Sequence, residues 1–200
     1  MDKLLFVLAA QIVFFVLIVG YVIRKYNTLV ELENRYENAF SQIDVQLQRR
    51  YDLIPKLVET AQAYLEHEQE TLDAVTEARS QAQAARDQAA QNPGNSNVME
   101  SLQAAESSLS GSLGQLVMTV EDYPDLKADE TMNQIIEELR TTENKVAFAR
   151  QHFNDAVMAY NVERESFPTT LLAEAFNYEE AAPFEVELEK EREAVDVAFS

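Results

Sequence analysis

Residues 4–23 read LLFVLAAQIVFFVLIVGYVI and contain no charged side chain. A helix of this length rises about 30 Å, which is the thickness of the hydrocarbon core of a bilayer. Tyr21 and Tyr26 stand where interfacial aromatic side chains are usually found. We therefore predict a transmembrane helix over residues 4–24, preceded by a short flank at residues 1–3. The residues that delimit this membrane anchor are Leu4, Ile23, Arg24 and Lys25.

A cleaved signal peptide is the alternative for this stretch. The apolar region of a signal peptide usually has about 7–15 residues and ends at a small-residue cleavage site. The present run is longer and lacks that site, so a membrane anchor is favoured. Asp2 and Lys3 precede the run, whereas Arg24, Lys25 and Arg35 follow it. The positive-inside rule then predicts that the N-terminus lies outside and that the following domain is cytoplasmic.

The composition excludes several classes of protein. The chain of 200 residues has no cysteine and two histidines, His67 and His152, which excludes disulfide scaffolds, Cys nucleophiles and multi-His metal sites. The net charge is −19, and residues 1–23 carry one acid and one base, so the acidity belongs to the rest of the chain. Such a surface repels the phosphates of nucleic acids. It is also expected to stay away from anionic lipid headgroups, with only Arg24 and Lys25 touching them.

The remaining chain shows a helical pattern of apolar residues. They recur every three or four positions between a few breaks, and four glycines and five prolines are too few for a β-sandwich or barrel. Asp52 is a candidate N-cap for a helix with Pro55 in its first turn. The pattern predicts an all-α fold, in which the transmembrane helix is followed by an antiparallel up-down four-helix bundle over residues 25–168. The predicted helices cover residues 25–51, 53–91, 96–121 and 129–166.

The predicted helix lengths are difficult to reconcile with a membrane. Residues 25–50 would reach about 39 Å above the bilayer, whereas residues 55–91 would measure about 55 Å. An antiparallel second helix would therefore enter the bilayer. We expect an overhang or fraying over residues 80–91, or a hinge near residues 25–28.

Residues 169–200 are expected to form an acidic, partly disordered tail. Phe176, Tyr178 and Phe184 lie at its beginning. Docking of these aromatic side chains on the bundle is the favoured interpretation, and binding to a partner or to the membrane interface is the alternative.

No motif in the chain indicates catalysis. His67 and Glu68 begin a zinc-protease pattern, but Thr71 occupies the position of the second histidine. A di-iron bundle needs two Glu-x-x-His pairs, and neither histidine has a Glu three residues before it. We therefore expect no enzyme activity, no catalytic residue, no metal, no cofactor and no small-molecule substrate.

Charged residues adjacent to the apolar seams are predicted to form ion pairs between helices. Such pairs fix helix register more than they add stability. The alternative is a polar groove that receives a segment of a partner. The residues concerned are Asp44, Arg49, Arg50, Glu68, Arg79, Glu138, Glu143 and Arg150.

Several short motifs point to a known family. Residues 43–55 read IDVQLQRRYDLIP and residues 123–128 read YPDLKA. With shorter matches elsewhere, these motifs resemble those of the LemA family of bacterial membrane proteins. Phe40 and Phe153 depart from the family pattern, which usually has Trp and Tyr at these positions, so any role of a tyrosine hydroxyl at the second position is absent here. The family-motif residues in the predicted polar network are Asp44, Arg49, Arg50, Asp52, Pro55, Glu68, Arg79, Tyr123, Pro124, Glu143, Asn144, Arg150 and Asn161.

The resemblance implies a single-span protein of the bacterial cell (inner) membrane, with a helical bundle, an outside N-terminus and no established catalytic activity. A relative in magnetosome-forming bacteria is linked to membrane biogenesis. The leading prediction is a non-enzymatic, membrane-anchored helical scaffold that organises membrane or envelope. Its expected partners are the lipid bilayer and either further copies of itself, through coiled-coil seams, or an unidentified protein. The alternatives are an adaptor for a partner enzyme such as a membrane protease, and a small-ligand carrier with a cavity in the bundle core.

Overall fold

The computed structural model describes residues 2–65 and 67–185. Within these residues the chain forms helices and no strand, which confirms the predicted all-α fold. The predicted helices at residues 96–121 and 129–166 correspond to the third and fifth helices observed. The six helices are α1 (Asp2–Gln62), α2 (Gln69–Ala89), α3 (Ser96–Glu121), α4 (Pro124–Lys127), α5 (Glu130–Glu165) and α6 (Thr169–Ala175).

α1 is one continuous helix that contains Pro55 in its interior. The predicted helix boundary at residues 51–53 is therefore wrong, and Asp52 is not an N-cap. Pro55 lacks the N–H that would bond the carbonyl of Tyr51 four residues earlier. That carbonyl instead accepts a hydrogen bond from Arg79 Nε of α2, at 2.7 Å. A side chain from the neighbouring helix thus replaces the missing donor within the continuous helix.

α2 is shorter than predicted, because residues 53–62 belong to α1. Its 21 residues rise about 32 Å instead of about 55 Å, so α2 ends well short of the apolar stretch. The expected fraying over residues 80–91 is wrong for the part up to Ala89, which is helical and packed. The expected hinge near residues 25–28 is also wrong, since α1 is helical throughout. The buried side chains in this part of α2 are Ala82, Ala85 and Ala89.

The long helices pack in antiparallel pairs. α1 packs along α5, α2 packs along α3, and α1 also contacts α2. Lys25 of α1 binds Glu163 near the end of α5 at 2.8 Å, and Arg49 binds Glu138 near its beginning at 2.7 Å. The positions of these two ion pairs show that α5 runs antiparallel to α1 and define the register of the two helices. We call residues 29–185 the helical body, because Leu29 is the first fully buried residue of α1.

Aromatic side chains fill the core between α1 and α5. Phe153 is fully buried, and its ring lies edge-on to those of Phe40 and Tyr36, at centroid distances of 5.6 and 6.3 Å. A tyrosine hydroxyl at position 153 would therefore enter an apolar environment. Phe153 serves this chain as a packing residue.

The α2–α3 turn stops beside Tyr36, whose ring lies 3.2 Å from where a Cβ on Gly94 would be. About 18 Å of α1 therefore extends from Arg24 to this level without α2 or α3 beside it. The end of α5, α6 and residues 176–185 occupy this space, and α6 contacts both α1 and α5. A short α2–α3 hairpin thus leaves room for the C-terminal segment.

The predicted disorder of the tail is wrong for residues 169–185. Residues 169–175 form α6, and the following segment packs in extended form on the helical body, with Ala181 and Phe184 buried. Tyr178 is half-buried, whereas Phe176 is 56% exposed. Docking thus accounts for Phe184 and Tyr178 but only partly for Phe176. The predicted disorder of residues 186–200 lies outside the described residues.

The N-terminal part of α1 is apolar and uncovered. Its most apolar 18-residue window has a mean hydropathy of 2.7 and no buried residue. Side chains from residue 5 to residue 21 are exposed. A helix of this length and composition is able to cross a membrane.

Candidate functional site

A buried ion pair joins the helices in the middle of the helical body. Arg50 of α1 donates from Nη1 to Glu106 of α3 at 2.8 Å, and both side chains are at most 5% exposed. Arg50 Nη2 also donates to Ser110 at 2.9 Å and lies 3.5 Å from Glu143 of α5. Arg50 therefore contacts α3 and α5 at once. A guanidinium group suits this position because its fixed fork of donors can serve several acceptors.

Glu106 also accepts a hydrogen bond from the hydroxyl of Tyr51. Burial raises the pKa of Glu106, and the neighbouring Arg50 opposes that effect without cancelling it. Burial, together with the Glu106 carboxylate, likewise raises the pKa of Tyr51, which keeps its hydroxyl protonated as a donor. The cluster of Arg50, Tyr51 and Glu106 is thus a saturated hydrogen-bond network. These hydrogen bonds hold the three side chains in place between α1 and α3.

A second polar contact lies one or two helical turns nearer the apolar stretch. Arg86 of α2 binds both carboxylate oxygens of Asp44, at 2.5 and 2.8 Å, and donates to Gln48 at 2.9 Å. The hydrogen bonds to Asp44 and the charge of its carboxylate raise the pKa of Arg86. With the contact of Arg79 to the Tyr51 carbonyl, α2 is fixed to α1 at two successive levels.

Other predicted residues are peripheral to this centre. The ion pair of Arg49 with Glu138 is about half-exposed, and the Arg49 hydrogen bond lowers the pKa of Glu138. Asn144 is exposed, and Arg150, which is half-buried, has no ion-pair partner among the described residues. Asp52 accepts a hydrogen bond from Gln48 on the same helix.

The Tyr-Pro motif lies at the end of the helical body far from the apolar stretch. Pro124 begins α4, and the Tyr123 hydroxyl lies 3.4 Å from a carboxylate oxygen of Glu68, just before α2. Burial raises the pKa of Tyr123, with a further contribution from the Glu68 charge. The motif therefore ties the α3–α4 turn to the start of α2.

Asn161 contributes to an arrangement that the sequence did not predict. Its side-chain amide donates to the carbonyl of Ala181 at 2.8 Å and accepts from the amide of the same residue at 3.0 Å. Asn154 makes the same pair of bonds with Phe184, at 3.1 and 2.8 Å. We call Asn154 and Asn161 the amide clamp. Asn154 and Asn161 are seven residues apart on a helix, which is about 10 Å. Ala181 and Phe184 are three residues apart in an extended chain, which is also about 10 Å, so each asparagine lies opposite its partner.

Two further side chains of α5 hold the same segment. The Tyr160 hydroxyl donates to the carbonyl of Glu179 at 2.8 Å, and Arg164 Nε donates to that of Tyr178 at 2.9 Å. Burial raises the pKa of Tyr160 to about 12, so the hydroxyl stays protonated. The carbonyl of Gly94 accepts from the amide of Ala182 at 2.7 Å. Backbone groups at five positions of the docked segment, residues 178, 179, 181, 182 and 184, are therefore paired with α5 or the α2–α3 turn.

Sequence reasoning missed Glu106, Arg86 and Asn154. Glu106 was detectable, since it stands four residues after Leu102 and three before Leu109 and thus on the apolar seam of α3. Arg86 and Asn154 carried no comparable signal, because their partners depend on tertiary register. Among the described residues, no group of three or more His, Asp or Glu side chains is placed to hold a metal ion.

Comparison with known proteins identifies the family. The chain is 28% identical to Protein LemA of Metamycoplasma hominis over 197 residues, which cover 94% of this chain and 82% of that protein. It is 27% identical over 176 residues to the magnetosome proteins MamQ 1 and MamQ 2 of Paramagnetospirillum magneticum. Those matches cover 80% of this chain and 65% of each relative, so the chain spans less than two thirds of either MamQ protein. The LemA family model matches residues 39–199, which is most of the sequence, and the chain therefore belongs to the LemA family.

Proposed function

We propose that this protein is a non-enzymatic, membrane-anchored scaffold of the bacterial inner membrane. In this proposal α1 spans the bilayer once with its N-terminus outside, and a four-helix bundle of α1, α2, α3 and α5 stands in the cytoplasm. The bundle presents surfaces to further copies of the chain or to a protein partner. The names of the MamQ relatives, which are magnetosome proteins, support a role in organising a membrane compartment.

The observation that carries this proposal is the continuity of α1. One helix of 61 residues supplies both the apolar stretch and the longest core element of the helical body. Its apolar residues from Leu5 to Tyr21 are exposed, whereas buried residues begin at Leu29 and recur every three or four positions from Tyr36 onwards. The polar network in the body joins helix to helix and is saturated, which suits a structural role.

Exposed apolar side chains support self-association or partner binding. They lie on the outer faces of α1 and α5, where α2 and α3 do not cover them. Scattered exposed apolar side chains are ordinary, but three such side chains on one face of α5 favour contact with another helix. The residues concerned are Val45, Phe148, Met158 and Val162, with exposed fractions of 58–68%.

Site-specific photocrosslinking in cells tests the proposal. A photoreactive phenylalanine analogue replaces Phe148, which is 65% exposed, and a matched variant carries it at Glu100 on the far face of α3. A scaffold predicts an adduct from position 148, either with a second copy or with a non-enzymatic membrane protein, and none from position 100. An adduct with a membrane protease would favour the adaptor function instead. No adduct from either position would contradict both functions.

Orientation is tested separately. The chain has no cysteine, so a single cysteine at Glu100 provides a unique label. A membrane-impermeant maleimide should label this position only after the cells are opened. Labelling in intact cells would reverse the proposed orientation.

A further inference from the structure

The C-terminal end of α5 reaches the level where the apolar stretch ends. Lys25 of α1 binds Glu163 of α5 at 2.8 Å. Burial would raise the pKa of Glu163, but hydrogen bonds from Lys25 and Thr169 lower it by more, so the net effect is a lowered pKa. The chain keeps the direction of α5 as far as Ser166, whose N–H bonds the carbonyl of Val162. The four residues after Glu163, residues 164–167, extend about 6 Å further along α1 towards its N-terminus. Phe167 is thereby placed beside the last turn of the apolar stretch.

α6 lies at the same level. Thr169, its first residue, donates to the Glu163 carboxylate at 2.9 Å, and α6 contacts α1. The ring of Phe176, directly after α6, packs edge-on against Tyr26 at a centroid distance of 5.0 Å. Val22 is half-covered, whereas the residues from 5 to 21 are exposed. The other helices therefore cover α1 only as far as the end of the apolar stretch and leave residues 5–21 exposed.

Large apolar side chains at this end face solvent. Phe167 is 81% exposed, and Leu171 and Phe176 are 57% and 56% exposed. α6 buries Thr169 and Ala173 against the body, which leaves Leu171 on its outer side. A group of exposed apolar side chains usually marks an interaction surface. Aromatic and leucine side chains beside the end of a spanning helix are suited to the bilayer interface.

The charges at this end are balanced, in contrast to the chain as a whole. Residues 24–25 together with residues 163–176 carry three bases and three acids, whereas the whole chain has a net charge of −19. Repulsion from anionic headgroups is therefore weakest here. The balanced residues are Arg24, Lys25, Arg164, Glu163, Glu165 and Glu174.

We propose that the turn around Phe167 and the outer side of α6 form a second, non-spanning contact with the bilayer. Phe167, Leu171 and Phe176 enter the interfacial layer beside α1, on the side of the helix where α6 packs. This proposal differs from the expectation that only Arg24 and Lys25 touch the lipid. It rests on the proposed insertion of α1.

Tryptophan fluorescence tests the contact, because the chain has no tryptophan. The variants Phe167→Trp and Leu171→Trp are made in the full chain and reconstituted into phosphatidylcholine–phosphatidylglycerol vesicles. Met118→Trp is the matched control, since Met118 is also exposed but lies near the end of α3 that is far from the apolar stretch. Emission at positions 167 and 171 is expected at shorter wavelength than at position 118. It should also lose intensity when lipids brominated on the upper acyl chain are included.

A fourth variant separates two kinds of failure. Phe14→Trp reports on the middle of the apolar stretch, which should be quenched if α1 is inserted. Quenching at position 14 without quenching at positions 167 and 171 would refute the second contact but leave the anchor intact. No quenching at position 14 would refute the anchor, and this inference with it. A shift to shorter wavelength at position 167 without lipid quenching would indicate a protein contact and would also overturn the proposal.

Discussion

Replacing Arg79 is expected to destabilise the protein only as long as Pro55 is present. The Tyr51 carbonyl has no amide donor four residues later, and it accepts a hydrogen bond from Arg79 Nε at 2.7 Å. Tyr51 is fully buried, so water cannot readily replace this donor. Loss of a charged donor to a buried acceptor costs about 1.5–3 kcal/mol. We expect Arg79→Met, which keeps most of the apolar stem, to lower the free energy of unfolding by about 2 kcal/mol.

The variant Pro55→Ala supplies the missing N–H within α1. The Tyr51 carbonyl then has a partner in the ordinary helical ladder and depends less on Arg79. In this background Arg79→Met is expected to cost less than about 1 kcal/mol, which gives a coupling energy of about 1–2 kcal/mol. Alanine also has the higher helix propensity, but the double-mutant cycle cancels that contribution.

The measurement is urea unfolding of the full chain in mild detergent, followed by far-ultraviolet circular dichroism. Arg86→Met is the matched control, because Arg86 binds side chains of α1 and no backbone carbonyl freed by proline. Its cost should be the same in the wild-type chain and in the Pro55→Ala background. An equal cost of Arg79→Met in both backgrounds would show that Arg79 does not compensate for the proline.

Three further predictions concern the polar network and the docked segment. Burial raises the pKa of Glu106, so the protonated carboxyl group favours the folded state. This contribution to stability is fully present below pH 4.5, the ordinary pKa, and is lost as the pH rises through the raised pKa. Urea titrations over this pH range should show that the wild-type chain loses stability relative to Glu106→Gln. A pH-independent difference would contradict this assignment. Asn161→Ala removes two hydrogen bonds and should lower the free energy that holds the docked segment by about 1–3 kcal/mol. Hydrogen exchange should then show faster exchange of the amides of residues 178–184. The control Asn144→Ala, at an exposed position, should leave these exchange rates unchanged. Gly94 has a φ of +89°, and a Cβ at this position would lie 3.1 Å from the Cβ of Ala181. Gly94→Ala should therefore strain the turn and lower the thermal midpoint of unfolding by several degrees. An unchanged midpoint in calorimetry would contradict this prediction.

Much of the helical pattern was predictable from local sequence. Asn95 caps α3 and Asp129 caps α5, and each side chain accepts a hydrogen bond from the amide three residues later. Periodicity predicts an apolar seam on α3 that includes Val98 and Ala105, and the structure buries their neighbours Met99 and Glu106 instead. The other members of the predicted seam are buried, namely Leu102, Leu109, Leu113, Leu116 and Val120. These features depend on residues within one turn of each other, so the sequence alone contains them.

The errors arose where a distant residue overrides a local signal. Pro55 is a helix breaker by its own chemistry, and the donor that rescues α1 comes from Arg79, 24 residues later. The docked segment has weak helical or strand character, and the amide clamp that holds it comes from α5. Neither contact follows from periodicity, because each depends on the register of two elements that the sequence does not specify locally.

The continuity of α1 makes it a lever arm once it crosses a bilayer. The portion from Arg24 to Gln62 is about 57 Å long, and no break separates it from the apolar stretch. A spanning helix tilts when the hydrocarbon layer becomes thinner than its apolar length. A tilt of about 10° would carry the Gln62 end about 10 Å sideways. A change in local bilayer thickness would thus change the position and orientation of any partner bound at the Gln62 end of α1.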